Sequence, residues 1–181
     1  MKKLLLFSMI FIISAAVCTA QQGFFAGAQM GYTMGGDVEE SDLSFGAQAG
    51  MDLNDSLSLE AAWNKFSDED TAEGIKAEMD VNIIALTIRG SLPLSDTLKL
   101  YGGGGINYMI VDASLSGYGE SIDVDLDNTI GYHVCAGAAA NVADNIQLFG
   151  EYRYSFGKIK GEGIDEDYNY GIIRAGANLL F

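Results

Sequence analysis

From residue 23 onward, hydrophobic and small or polar residues alternate with a period of two, and no segment carries the 3.6-residue period of a helix. In "LSFGAQAGMDL", residues 43–53, one face reads Leu43, Phe45, Ala47, Ala49, Met51 and Leu53, and the other reads Ser44, Gly46, Gln48, Gly50 and Asp52. Side chains of a strand point alternately to opposite faces, so the segment predicts a strand with one oily and one polar face. The same split occurs at 23–34, 57–64, 82–92, 98–111, 129–142, 146–156 and 169–181, which predicts eight strands in all. No charge falls on the oily faces. The segment at 82–92 is the least clean, because Ile83 and Ala85 make its second face apolar too.

The connections alternate in length. Those near 54–56, 93–97 and 143–145 are short, and those at 35–42, 65–80, 112–128 and 157–167 are long. Short turns on one side and long loops on the other are the signature of an up-and-down antiparallel barrel in a bacterial outer membrane. The predicted fold is therefore all-β, an eight-stranded antiparallel up-and-down transmembrane β-barrel.

A soluble barrel would use the same alternation with the oily face inside. Four features argue for the oily face outside. The polar face is mostly Gly, Ala, Ser, Asn and Gln, too poor in charge for a water-facing exterior. Its few charges, Glu60, Arg89, Lys99, Glu151, Arg153 and Arg174, are of both signs and suit mutual neutralisation in a narrow lumen. Tyr32, Trp63, Tyr108, Tyr154 and Phe156 lie on the oily face near the long-loop ends of their strands, where an interfacial aromatic girdle belongs. The predicted strands run about ten residues, enough to cross a bilayer at a tilt.

The first residues, "MKKLLLFSMIFIISAAVCTA", have the form of a secretory signal peptide: Lys2 and Lys3, an apolar run from Leu4 to Val17, and small residues at Cys18-Thr19-Ala20. The expected division is a signal peptide over 1–20 and a barrel domain over 21–181, exported to the outer membrane. Export would remove Cys18 and leave Cys135 alone, so no intramolecular disulfide forms. It would also remove Lys2 and Lys3 from the 10 basic residues, leaving 8 against 25 acidic ones, a net charge of −17 that argues against nucleic acid as a partner.

The segments "LKLYGGGGINY" (98–108), "LFGEYRYSFG" (148–157) and "GIIRAGANLLF" (171–181) resemble the small outer-membrane β-barrel proteins, the OmpA/OmpX-like porin family. The resemblance covers 23–181. It implies outer-membrane lipid and lipopolysaccharide as surroundings. It also implies that an alternating last strand with Leu179 and Phe181 serves as a signal for the barrel-assembly machinery. It does not settle function, because members differ in their loops.

Three sets of residues are candidates for chemistry. The lumen charges form either a structural plug or the gate of a narrow ion path. In an eight-stranded barrel, whose interior is just wide enough for side chains to fill it, the plug is the expected role. The long loops hold 19 acidic residues against Lys65, Lys76, Lys158 and Lys160. Within them, Asp123, Asp125 and Asp127 share one side of an extended segment, but the glycine and distal glutamate of an EF-hand are missing, so no metal is assigned. His133, the single histidine, takes the lumen parity beside Cys135 with no evident serine partner, which argues against a lipid-modifying hydrolase. The glycine run 102–105 lies inside a strand and is not a phosphate loop. The expected function is that of a structural or surface-interaction protein with a filled polar lumen and acidic outer loops, neither an enzyme nor the holder of a cofactor. A narrow porin-like channel is the alternative, and a membrane enzyme the third reading.

Overall fold

In the computed structural model, residues 23–36, 43–72, 75–117, 120–125, 128–161 and 164–181 are described. The expected signal peptide, 1–20, lies outside them, as do 37–42 of the first long loop. The described residues form nine strands: β1 (Phe24–Gly36), β2 (Leu43–Asn54), β3 (Leu57–Ala72), β4 (Ile75–Pro93), β5 (Leu98–Gly117), β6 (Glu120–Asp125), β7 (Thr129–Ala143), β8 (Ile146–Gly161) and β9 (Ile164–Leu180). All pairings are antiparallel. β1 pairs with β2 on one side and β9 on the other, β4 pairs with β5, and β5 pairs with β7, so eight strands close into a barrel with no helix. β6 stands outside that ring. It pairs with the far end of β5, from Asp112↔Asp125 to Gly117↔Glu120.

The turns at one end are tight. The Asn54 side chain accepts the backbone N–H of Ser56 (2.9 Å), and Ser95 Oγ accepts those of Thr97 (3.3 Å) and Leu98 (3.1 Å). Such short polar side chains satisfy the turn's own backbone and so end the ladder locally. At the opposite end the strands outrun the expected ten residues, spanning 12 to 20 within the barrel ring. Much of 65–80, 112–128 and 157–167, read from the sequence as loop, is paired hairpin: Phe66↔Val81 to Ala72↔Ile75, and Gly157↔Tyr168 to Gly161↔Ile164. Acidic residues discourage a buried strand, not a solvated one. Beyond the membrane, cross-strand pairing satisfies the backbone of these segments whatever charge they carry.

The oily parity points outward. Phe45, Leu86, Ile88, Ile106, Ile130, Val134, Leu148 and Ile173 are all exposed on the outer wall. Polar side chains of the opposite parity, such as Gln29, Gln48, Asn64, Thr87 and Asn178, are buried inside. Ile88 is 56% exposed, four residues from Ile84 at the girdle level and four from Leu92 near the turn end, which puts it near the middle of the band. Ile88→Arg is therefore expected to destabilise the folded barrel by about 2–4 kcal/mol in lipid, measured by urea titration in vesicles. A soluble exterior would accept the same arginine at little cost, and that result would refute the outward orientation.

Candidate functional site: the sealed lumen

Three layers of side chains fill the barrel. The middle layer is charged. β3 contributes Glu60, β4 Arg89, β8 Glu151 and Arg153, and β9 Arg174, all buried. Glu151 and Arg174 are cross-strand neighbours on β8 and β9. Each arginine bridges both acids. Arg89 pairs with Glu60 and lies 2.6 Å from Glu151. Arg153 reaches each acid at 3.0 Å, and Arg174 lies 3.1 Å from Glu60 and 2.6 Å from Glu151. Polar neighbours complete the layer: Arg174 Nη1 donates to Gln29 Oε1, Gln29 Nε2 to Asn64 Oδ1 (2.6 Å), and Arg153 Nη2 to Thr87 Oγ1 (3.3 Å). Guanidinium forks suit this sharing, because several donors are held in one plane.

Lys99 does not join this layer. It lies half-buried nearer the short turns, opposite Pro93 and Ala139, and has no ion pair among the described residues. Parity placed it on the lumen face, but height along the barrel decides which inward charges meet.

Below the charges, towards the short turns, Tyr101, Phe149 and Ala139 form an apolar layer with Phe25 buried beside it. Glycine makes its flat packing possible. A Cβ on Gly137 would stand 2.6 Å from Tyr101 Oη, and one on Gly176 2.7 Å from both Cε1 and Cζ of Phe149. The rings therefore lie directly on the wall. The Arg89 Cζ sits 4.6 Å from the Tyr101 ring centre, and that of Arg174 5.9 Å from Phe149, within reach of a cation–π contact.

Above the charges lies a second apolar layer of Phe66, Val81, Ile83, Met109, Val111, Tyr170 and Ile172. The Phe66 and Tyr170 rings pack at 6.0 Å. Apolar layers thus flank the charged one, while buried Gln48, Gln147 and Asn178 keep the short-turn end polar, so the expected filled polar lumen is polar at some levels and apolar at others. The signal was present in the second apolar face of 82–92: Ile83 and Ala85 are both buried inward. Charges placed higher, nearer bulk water, would be harder to seal, whereas an apolar plug excludes water without needing partners.

His133 is buried in the charged layer's upper margin. Its Nε2 lies 2.9 Å from Thr87 Oγ1. Ser155 is its cross-strand partner and is buried too, yet the ring's hydrogen bond goes to Thr87. Both residues face the sealed interior, away from any lipid at the outer wall. Of the glycine run, Gly105 matters most here: a Cβ there would come within 3.0 Å of His133 Cε1.

The girdle residues stand on the outer wall. Tyr32, Tyr108 and Phe156 are exposed, and Trp63 and Tyr154 half-exposed. Trp63 packs edge-on against Phe45 at 6.1 Å and Tyr154 against Phe156 at 5.0 Å. Tyr132, opposite Phe156, is exposed in the same band and belongs with them by position. Leu179 and Phe181 face outward at the short-turn end, where the Phe181 N–H donates to the Phe24 carbonyl (2.9 Å). Above the girdle the outer wall turns polar. Lys65 lies 3.0 Å from Asp80, which also accepts the Ser67 hydroxyl. Those bonds, Ser67 first and then Lys65, hold the Asp80 carboxyl below its ordinary range.

Of the acidic triplet, Asp127 lies outside the described residues; Asp123 and Asp125 fall on β6, where only the backbone is described. Among the described residues, no group of His, Cys, Asp and Glu side chains is placed to hold a metal ion.

Known structures share this architecture. Neisserial surface protein A matches with a TM-score of 0.66 at 19% identity, over 87% of this chain and 96% of that one. OprG of Pseudomonas aeruginosa matches at 0.61 and 14% identity, over 89% and 97% of the two chains. Ail, the attachment invasion locus protein of Yersinia pestis, in complex with the heparin analogue sucrose octasulfate, matches at 0.58 and 15%, over 88% and 97%. No curated protein matches the sequence. At these identities the structural likeness speaks for the fold alone. The sequence itself matches the outer membrane protein beta-barrel domain over residues 4–181. With eight closed strands, an oily exterior and a sealed lumen, the chain belongs to that family of bacterial outer-membrane β-barrel proteins.

Proposed function

We propose that this barrel works through its outer surface, as a structural and adhesion-type protein of the envelope, and neither conducts nor catalyses. The observation that carries this reading is the contrast between the two ends of the strands. Inside, three stacked layers close the lumen. Outside, β3, β4, β5 and β6 continue past the membrane as one sheet. Among the described residues, β3 beyond Lys65 pairs with β4 alone and β6 pairs with β5 alone, so both edges of that sheet are open. An open edge is a template for an added strand from a partner.

The charge of the projecting segments suggests the partner's chemistry. Nineteen acids against four lysines attract a cationic protein surface and repel a polyanion. Ail, by contrast, has been crystallised with the sulfated analogue named above. Two measurements test the reading. In planar bilayers the wild-type protein is expected to show no sustained single-channel steps. Binding of a cationic peptide to the intact barrel in nanodiscs is expected to weaken steeply with salt and to vanish when the hairpin is shortened within 69–78, which spares the buried Phe66 and Val81. Large, stable conductance would instead favour the narrow-channel alternative.

A further inference from the structure

The charged layer does not balance. Three buried guanidiniums, Arg89, Arg153 and Arg174, face two buried carboxylates, Glu60 and Glu151, and no other acid is buried among the described residues. With His133 neutral, one positive charge is left over. A surplus charge held away from water is costly unless something neutralises it. The aromatic faces under Arg89 and Arg174 soften that cost but carry no net charge.

Just below the layer, at the short-turn mouth, lies a cavity of about 10 Å³ lined by Arg89, Tyr101, Lys99, Ser58, Ser91 and Asp52 among others. A space of this size takes one water-sized particle. Two of its lining residues are more than nine-tenths buried and carry donors without a partner, Arg89 Nε–H and Tyr101 Oη–H. Lys99 adds a cation that no described acid pairs. Asp52, the one acid of the lining, is exposed at the rim, and counting it with Lys99 leaves the surplus unchanged.

We infer that this cavity binds a single monatomic anion, chloride in practice, taken up from the periplasmic side. The anion accepts from Arg89 Nε and Tyr101 Oη, with the Lys99 ammonium on its short-turn side, and brings the interior to neutrality. The inference is independent of what the outer hairpins bind. It requires only the charge surplus and the donor-lined cavity.

The test compares chloride with gluconate, an anion too large for the cavity, at equal ionic strength. Thermal unfolding of the folded barrel in detergent, followed by its heat-dependent gel shift, is expected to move upward with chloride in a saturable way and not with gluconate. Tyr101→Phe keeps the ring and every charge but removes the hydroxyl donor. Loss of one hydrogen bond to a charged group should weaken the chloride dissociation constant about ten-fold or more, with the midpoint in gluconate unchanged. Lys99→Gln, on a half-buried side chain outside the ion pairs, should act in the same direction. Crystals soaked in bromide should show one anomalous peak between Arg89 and Tyr101. Equal midpoints in chloride and gluconate, an undiminished chloride effect in both variants, or no bromide peak there would each overturn the site.

Discussion

Glu151→Ala should cost the barrel about 3–5 kcal/mol, the range for breaking a buried ion pair by removing one partner. Glu151 sits within 2.6–3.0 Å of three arginines, so its loss leaves all three sharing Glu60. The interior surplus would rise from one positive charge to two. Removing an arginine as well should relieve part of the loss. In Glu151→Ala with Arg174→Met, two guanidiniums share one carboxylate and the surplus returns to one. The double variant is therefore expected to be more stable than the sum of its single changes, which a double-mutant cycle in urea would show. Conductance should stay at the wild-type level, because the apolar layers above and below remain closed. A single variant as stable as the wild type would mean that Glu151 does not hold the layer together.

The upper plug carries the second large effect. Phe66 is 1% exposed and packs among Val81, Met109 and Tyr170, with no polar group to leave stranded. Phe66→Ala should lower stability by about 3–5 kcal/mol through lost burial and the cavity left behind. Like the Glu151 change, it should leave conductance at the wild-type level, because the charged layer and the lower apolar layer remain closed. The pair of variants separates stability from sealing. If Phe66→Ala opened the barrel to ions, the apolar layer and not the ion pairs would be the barrier.

The eight strands of the closed ring, their order and the direction of the oily face were legible in the sequence, because each rests on local information; β6, outside the ring, was not. A residue's face depends only on its parity within one strand, and a turn's tightness on a few neighbouring residues such as Asn54 and Ser95. Parity alone puts Arg174 inside, and Ile173 and Phe181 of the opposite parity outside. The hairpin extensions were missed because charge marks solvent, not the absence of pairing. What parity cannot supply is height. Glu60 meets Arg153 across 93 residues and Arg174 across 114, contacts set by the stagger between strands as the barrel closes. The same stagger leaves Lys99 below the charged layer and stacks Phe66 with Tyr170 above it. It also lays Tyr101 and Phe149 on Gly137 and Gly176. The tertiary structure alone decided that the lumen is divided into layers and that its charges do not cancel, because only closure brings inward residues from distant strands to one level.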